Sequence, residues 1–181
     1  RLRHAVTELV RMRRDDTVGS DDLLARLLLA ADPESGLRMS DTQVVDNVVS
    51  FLVAGYDTIA FALTWTLYLI SQSPAWEARI EEEVNRVVGS GPVTAQHVEH
   101  LVVVQQVLNE SLRLFPTAPV IVRDINEEVT LAGVSSPAGT IGIIPIYAIH
   151  RHRDYWDDPD RFDPGRFAPD RPTKPGRYQF M

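Results

Sequence analysis

The sequence contains no cysteine among its 181 residues. Disulfides, thiolate nucleophiles and metal sites with sulfur ligands from this chain are therefore excluded. Basic side chains are also few: 18 Lys and Arg stand against 25 Asp and Glu, and the net charge is -7. Phosphate neutralisation needs a basic surface, so nucleic acid is excluded as the main partner. No charged-then-apolar signal segment stands near Arg1, the first residue.

Proline is unevenly distributed, and this divides the chain into two parts. Nine of the 12 prolines lie at or beyond Pro116, while hydrophobic residues make up 44% of the whole. The first two thirds are therefore predicted to be helical, and the last third to consist of loops and short strands. The predicted fold class is mainly α with a small antiparallel β-sheet.

One predicted helix is unusually long. Ser40 and Gln43 have the spacing of a capping box, and no proline follows until Pro74. The pattern predicts a long central helix over about 41–72, apolar nearly all round between Val48 and Ile70 and hence buried on every side. A membrane span over Val48–Ile70 is the alternative, and it predicts detergent dependence. Asp57 near its centre would cost about 2.5–3.5 kcal/mol in a bilayer, which favours the central helix of a large soluble protein.

The remaining elements are shorter. An amphipathic helix is predicted over about 101–115, since Pro116 ends it. Short β-branched runs predict a small antiparallel sheet within about 120–146, and the residues after His150, about 150–177, read as a Pro-rich loop.

The middle of the long helix has the residue types of a ligand site. Ala54 and Gly55 are small enough for a large group to lie against the backbone. Thr58 can donate to the carbonyl of Ala54, and Asp57 supplies a proton source within an apolar wall. The alternative is a self-satisfied polar pair at a helix kink.

Glu110 and Arg113 lie three residues apart, on one face of the 101–115 helix. Exposed pairs of this kind contribute only about 0.2–0.5 kcal/mol, but the surrounding leucines indicate partial burial. A buried pair requires further partners, and Arg166 in the loop-rich tail is the candidate. Arg123 ends an apolar run, where a guanidinium suits a carboxylate or phosphate on a ligand, and an edge-strand salt bridge is the alternative. No metal site is predicted from the five histidines.

Together these segments resemble the cytochrome P450 superfamily. Ala54-Gly55-Tyr56-Asp57-Thr58 is similar to its oxygen-groove motif, Glu110-Ser111-Leu112-Arg113 to its E-x-x-R helix, and Asp158–Phe167 to its D-P-x-x-F-x-P-x-R-F segment. The three motifs stand in the family's order with suitable gaps. The resemblance spans the whole chain, read as a partial cytochrome P450-like domain over 1–181.

The resemblance implies roles for individual residues. Asp57 and Thr58 would deliver protons during dioxygen activation, and Ala54 and Gly55 would face the haem. Arg123 would pair with a haem propionate. The substrate pocket would be lined by Phe51, Pro119, Val120 and Ile121. A structural ion triad would be formed by Glu110, Arg113 and Arg166, and it would hold the loop over about 150–177, the meander loop.

Two departures from the family pattern are visible. Ile59 follows Thr58 where many members have a second hydroxyl residue, so the hydrogen-bond relay is expected to differ. Gly165 replaces the family's common Glu, which should leave the role of Arg166 intact.

The missing cysteine is the larger departure, because the family's iron ligand is a cysteine in a loop that follows this tail. The chain is therefore expected to be an internal fragment, inactive alone, with the haem ligand beyond Met181. The parent is expected to be a monooxygenase that hydroxylates a small apolar substrate with dioxygen and a ferredoxin- or flavoprotein-type electron donor. The ratio of 17 Arg to 1 Lys favours a bacterial, cytoplasmic protein, with a membrane anchor left open. The alternative is a non-catalytic helical remnant or ligand-binding scaffold without haem.

Overall fold

A computed structural model describes residues 1–14, 21–172 and 175–181 of the chain. The fold is mainly α, with small antiparallel sheets, as predicted. The chain forms two compact units, Arg1–Ile59 and Ala60–Met181. The helices are α1 (Leu2–Arg14), α2 (Leu23–Leu29), α3 (Asp41–Ser71), α4 (Pro74–Val87), α5 (Ala95–Val98), α6 (Val102–Leu114) and α7 (Ile146–Ile149), followed by a 3₁₀ helix (Pro164–Phe167).

The first unit packs α1, α2 and the start of α3 around a small aliphatic core. Its buried members are Val6, Val10, Leu28, Val44 and Val45. The predicted capping box at the start of α3 is confirmed: the Gln43 N–H donates to Ser40 Oγ at 3.3 Å, and the Ser40 N–H donates to Gln43 Oε1 at 2.9 Å. These two bonds satisfy backbone donors that a helix start leaves free.

The apolar middle of α3 is exposed, which contradicts the predicted burial on every side. Phe51 is 48% exposed, Phe61 58% and Leu67 65%. The described residues supply too little surface to cover this segment. Within the described part of the chain, α3 alone is long and apolar enough to cross a membrane, a test that the core helix of a soluble protein also passes.

The second unit contains α4, α5 and α6. Glu83 of α4 is 3% exposed, and its two carboxylate oxygens accept the N–H groups of Val103 and Val104 at 2.8 and 3.0 Å. Leu101, the residue before α6, makes no side-chain cap. Glu83 therefore takes the place of a local cap, and its negative charge lies at the positive end of the α6 dipole.

Two separate two-stranded ladders replace the single small sheet predicted within 120–146. The strands are β1 (Ile121–Asp124), β2 (Val129–Leu131), β3 (Val134–Ser136) and β4 (Ile141–Ile144). β1 pairs with β4 in antiparallel register, with Arg123 opposite Gly142, and β2 pairs with β3. The prediction missed β3, a short polar run that follows the tight turn at Ala132 and Gly133, both of positive φ.

Candidate functional site

The centre of the second unit is a buried cluster of charge. Glu110 and Arg113 are both fully buried on α6, and Arg166 of the 3₁₀ helix is 4% exposed. Arg113 binds the carboxylate in a bidentate manner, through Nε at 2.7 Å and Nη2 at 2.8 Å, and Arg166 Nε donates to Glu110 Oε1 at 3.4 Å. The structure thus brings together the three side chains that the sequence analysis grouped as a triad.

Arg113 uses every one of its donors. Beyond the two bonds to Glu110, Nη1 donates to the carbonyls of His150 (2.8 Å) and Pro159 (2.7 Å), and Nη2 donates to the carbonyl of Arg161 (3.2 Å). A guanidinium has five N–H groups, so none is left without a partner. Full pairing offsets the cost of burying this cation, and it fixes the path of a loop through its backbone rather than its side chains.

Arg166 and Glu110 secure the next part of that loop. Arg166 Nη2 donates to the carbonyl of Asp158 at 2.9 Å, and Glu110 Oε1 accepts the N–H of Asp163 at 2.8 Å. The side chain of Asp163 in turn accepts the Gly165 N–H at 3.1 Å. A Cβ at position 165 would lie 2.9 Å from Asp163 Oδ1, the end of a flexible side chain, so a larger residue there would require this carboxylate to move.

Aromatic rings surround the triad. The Arg113 guanidinium lies over the ring of Trp156, 5.0 Å from its centroid. Trp156 contacts Phe167 at 6.1 Å between centroids, Phe167 contacts Phe180 at 4.8 Å, and Phe180 stacks on His150 at 5.3 Å. Trp156 covers the Arg113 guanidinium, and the full burial of Glu110 and Arg113 strengthens the electrostatic attraction between them.

The oxygen-groove segment lies in α3 of the first unit. Thr58 Oγ1 donates to the Ala54 carbonyl at 2.6 Å, which confirms the predicted back-bond. Ser50 makes the same type of bond to Asp46 at 2.8 Å, so the geometry itself is not special to Thr58. Asp57 is exposed and lies at an open apolar cavity of about 400 Å³. The cavity is lined by Leu2, Leu52, Val53, Tyr56 and Asp57.

Helical periodicity sorts the groove residues by face. Phe51, Ala54, Gly55 and Thr58 follow the i, i+3, i+4, i+7 spacing, which places them along one face of α3. Asp57 is one residue from Thr58 and so lies about 100° round the helix, off this face. A large ring, two small residues and a hydroxyl thus form a single stripe.

Arg123 and the predicted pocket residues of the second unit lie around β1. Arg123 is exposed, and its Nη1 donates to the carbonyl of its neighbour Val122 at 2.9 Å. No carboxylate of the described residues lies within ion-pairing distance of it. Pro119 borders a cavity of about 280 Å³ with Phe61, Trp65, Phe115, Pro116, Thr117 and Tyr147. Val120 is exposed and Ile121 is half-buried.

Three residues of structural importance were missed by the sequence analysis. Glu83 is hidden within a run of exposed acids, and only its place on the inner face of the amphipathic α4 distinguishes it. His150 follows the apolar Ile146–Ile149 turn, a position typical of a buried side chain. Trp65 stacks on Phe115 at 3.9 Å with an interplanar angle of 4°, a pairing between distant segments that no local pattern reveals.

Comparison with known proteins gives consistent matches along the chain. The family model described as Cytochrome P450 matches residues 2–181. Pentalenene oxygenase of Streptomyces avermitilis is 36% identical over 179 residues, covering 99% of this chain and 40% of that protein. Cyclooctat-9-en-7-ol 5-monooxygenase of Streptomyces melanosporofaciens is 37% identical over 171 residues, covering 94% and 37%.

Solved structures show the same likeness. A retinoic acid-bound cyanobacterial CYP120A1 has a TM-score of 0.91 and 27% identity over 98% of this chain and 41% of its own. The haem domain of cytochrome P450DA has a TM-score of 0.85 and 34% identity over 92% and 38%. The chain spans about two fifths of the length of these relatives.

Proposed function

The chain belongs to the cytochrome P450 family, and from this membership we propose that the protein carrying it is a haem-dependent monooxygenase that oxidises a small apolar molecule. One observation carries the proposal: Phe51, Ala54, Gly55 and Thr58 form a stripe on an apolar helix face, with a single hydroxyl among groups that cannot donate a proton. Such a face suits an apolar substrate next to a reaction that needs controlled protonation.

Two separate sets of described residues each suit contact with a haem. Ala54 and Gly55 leave the backbone of α3 accessible, since a Cβ added at Gly55 would meet nothing within 4 Å. Arg123 presents an exposed guanidinium without a carboxylate partner among the described residues, which suits a propionate. When bound, the haem supplies dioxygen activation and oxygen transfer. Since the 181 residues contain no cysteine, we propose that the thiolate ligand comes from sequence outside them.

Thr58 and Asp57 are proposed to handle the protons. The Thr58 hydroxyl donates to the Ala54 carbonyl, while its oxygen keeps lone pairs that can accept a proton donor. Rotation away from Ala54 frees the hydroxyl to donate on the stripe face. Asp57, off that face and exposed, can exchange protons with water. Ile59 provides no second hydroxyl, so Thr58 is the terminal donor of the relay.

The triad is proposed to act at a distance from the chemistry. Glu110, Arg113 and Arg166 are all buried, and each binds backbone groups of the 150–167 loop. Their proposed role is to keep that meander loop in one conformation. We assign them structural rather than catalytic functions.

The apolar α3 helix is proposed to lie within the protein rather than in a bilayer, in a cytoplasmic enzyme. Asp57 in its middle supports this, because a charged side chain at the centre of a bilayer is costly. The test is to release the natural protein from cells without detergent. Recovery only with detergent would favour the membrane span.

Substrate oxidation tests the function directly. The longest natural open reading frame that carries these residues is purified with haem, supplied with a ferredoxin- or flavoprotein-type electron donor, and offered cyclic hydrocarbons under ¹⁸O₂. Pentalenene is the first compound to offer, because a relative of 36% identity is named for its oxidation. We expect one ¹⁸O atom in the product. Failure to retain haem would instead support the ligand-binding scaffold.

A further inference from the structure

Both ring nitrogens of His150 are engaged, although the mechanism proposed above makes no use of this residue. His150 is fully buried at the end of α7. Its Nδ1 lies 3.2 Å from the carbonyl oxygen of Arg113, and the backbone N–H of Met181 donates to its Nε2 at 3.1 Å. The His150 carbonyl accepts from Arg113 Nη1 at 2.8 Å. One histidine therefore joins the ion triad to the chain at Met181.

The two partners determine the tautomer of the ring. A carbonyl oxygen can only accept, so Nδ1 carries the proton that it donates to Arg113. The Met181 N–H can only donate, so Nε2 carries no proton and accepts this hydrogen bond. His150 is therefore neutral, with its proton on Nδ1.

The surroundings disfavour a second proton. Burial has the largest effect and lowers the pKa of His150 below its usual range; hydrogen bonding to the backbone of Arg113 and Leu112 opposes this in part, and the positive charges of Arg113 and Arg151 lower the pKa further. The Glu110 carboxylate is engaged by Arg113 and Arg166, and Phe180 covers a face of the ring. No carboxylate of the described residues pairs with His150 itself.

We propose that His150 is a positioning residue that ties the backbone at Met181 to the Glu110–Arg113–Arg166 triad, and that it does so in its neutral form alone. A proton on Nε2 would place two donors face to face and remove the Met181 bond. The consequence for haem rests on the proposed function: if the proposed thiolate loop begins just beyond Met181, a fixed Met181 would fix the start of that loop.

The sign of the pH effect follows from the direction of the pKa shift. The folded form binds the second proton less readily than the unfolded chain, whose histidine titrates near pH 6.5. Stability and the Met181 bond are therefore fully present above that pH. As the pH falls below about 6.5 towards the lowered pKa of the folded state, the free energies of unfolding and of opening the Met181 bond both decrease, because the opened forms take up a proton that the closed form does not.

Two substitutions of His150 test the hydrogen bonds of its two ring nitrogens separately. His150→Gln can place an amide oxygen near the position of Nε2, which keeps an acceptor for Met181 without titrating. His150→Asn reaches only the position of Nδ1, so it keeps a donor for the Arg113 carbonyl and loses the Met181 bond. His152→Gln is the control histidine, because the His152 side chain is 53% exposed.

Amide hydrogen exchange of the natural protein tests the link. In the wild type we expect the protection of the Met181 amide, corrected for intrinsic exchange, to fall about tenfold between about pH 7.5 and about pH 5.5. The variant with Gln should keep its protection across this range, and the variant with Asn should lack it throughout. The Gln179 amide, which donates to the Gly176 carbonyl at 2.9 Å, is the internal control. Protection at Met181 that neither pH nor His150→Asn changes would overturn the proposal.

A measurement without any variant covers the case in which the variants fail to fold. The ¹⁵N shifts of His150 in the wild type at neutral pH should show the Nδ1–H tautomer, whereas a proton on Nε2 would overturn the proposal.

The haem readout separates this proposal from the proposed function. In the wild-type holoenzyme we expect the thiolate-type Soret band to decline at low pH, and in the His150→Gln variant to persist. If the wild type shows no thiolate band at any pH, the proposed function fails while the exchange and tautomer results still decide the role of His150. A thiolate band with the same pH dependence in both proteins would contradict the haem consequence.

Discussion

The triad region and the exposed face of α3 invert the usual distribution of residues. In the triad region, two arginines and a glutamate are buried and paired within the described chain. On α3, aromatic and aliphatic side chains between Phe51 and Tyr68 are exposed. Buried charge is tolerated only where partners are supplied, and apolar surface persists in water only when something covers it. The first region is therefore complete in itself, and the second requires surface from outside these residues.

The two regions also act differently on their surroundings. Arg113 and Glu110 contact carbonyl and N–H groups of the loop, so they tolerate variation in its side chains. The α3 stripe presents side chains, so its function depends on the residue at each position. Substitutions in the Glu110–Arg113–Arg166 triad should therefore mainly lower the free energy of unfolding. Substitutions in the α3 stripe should mainly change the reaction. Four substitutions in the natural protein test this contrast.

Removal of the Arg113 side chain should have the largest effect. Arg113→Ala deletes five hydrogen bonds and leaves the Glu110 carboxylate buried without its main partner, which should cost about 3–5 kcal/mol of unfolding free energy. Urea unfolding of the natural protein measures it. Arg161→Ala is the matched control, because Arg161 contributes only its backbone carbonyl to the site. If both variants lost the same free energy of unfolding, the buried charge cluster would not be what stabilises this part of the fold.

Leu67 tests whether the apolar face is covered in the natural protein. It is 65% exposed among the described residues, yet we expect Leu67→Ala to cost about 2–3 kcal/mol there, because a covered leucine loses burial and leaves a cavity. Leu37, which is 72% exposed in a loop, is the control, and its Ala variant should change stability by about 0.5 kcal/mol or less. If Leu67→Ala is equally neutral, the contrast between the two regions fails.

Glu83 is a further buried charge with partners, and it joins α4 to the start of α6. Glu83→Ala removes both acceptors at the start of α6, which should cost about 2 kcal/mol. The exposed Glu82 is the control, since Glu82→Ala keeps the cap. A neutral result at Glu83 would mean that water or a local residue replaces the carboxylate. Thermal unfolding of both variants distinguishes these outcomes.

Thr58 should have the smallest effect on stability. Thr58→Ala removes one exposed back-bond and improves helix propensity, so unfolding free energy should change by about 0.5 kcal/mol or less. Product formed per electron consumed should nevertheless fall, because the proposed proton donor is lost. Thr64 makes the same bond, to Ala60 at 2.7 Å, and Thr64→Ala is the control. Unchanged coupling in Thr58→Ala would remove Thr58 from proton delivery.

The same contrast explains what could be predicted from the sequence. The α3 bounds, predicted over about 41–72 and observed as Asp41–Ser71, followed from local signals: a capping box, a proline and an apolar pattern. The pairing of Glu110 with Arg113 also has a local signal, since helical periodicity places them on one face. Arg166, 53 residues beyond Arg113, was found by matching an unsatisfied buried charge to a loop arginine.

Long-range geometry escaped prediction. The link from His150 to Met181 joins residues 31 apart through a ring nitrogen and a backbone N–H, for which no side-chain pattern exists. The cap from Glu83 to α6 likewise crosses between two helices. The exposure of α3 among the described residues was not predicted, because periodicity shows that a helix needs to be covered without showing which residues cover it.

The reduced carbon monoxide spectrum of the longest natural open reading frame, purified with haem, tests the central claim most directly. The claim is that these residues form the frame and the oxygen-side face of a haem-thiolate enzyme whose thiolate comes from outside them. The account predicts a Soret band at the thiolate position. A haem complex without that band, or no complex at all, would contradict it.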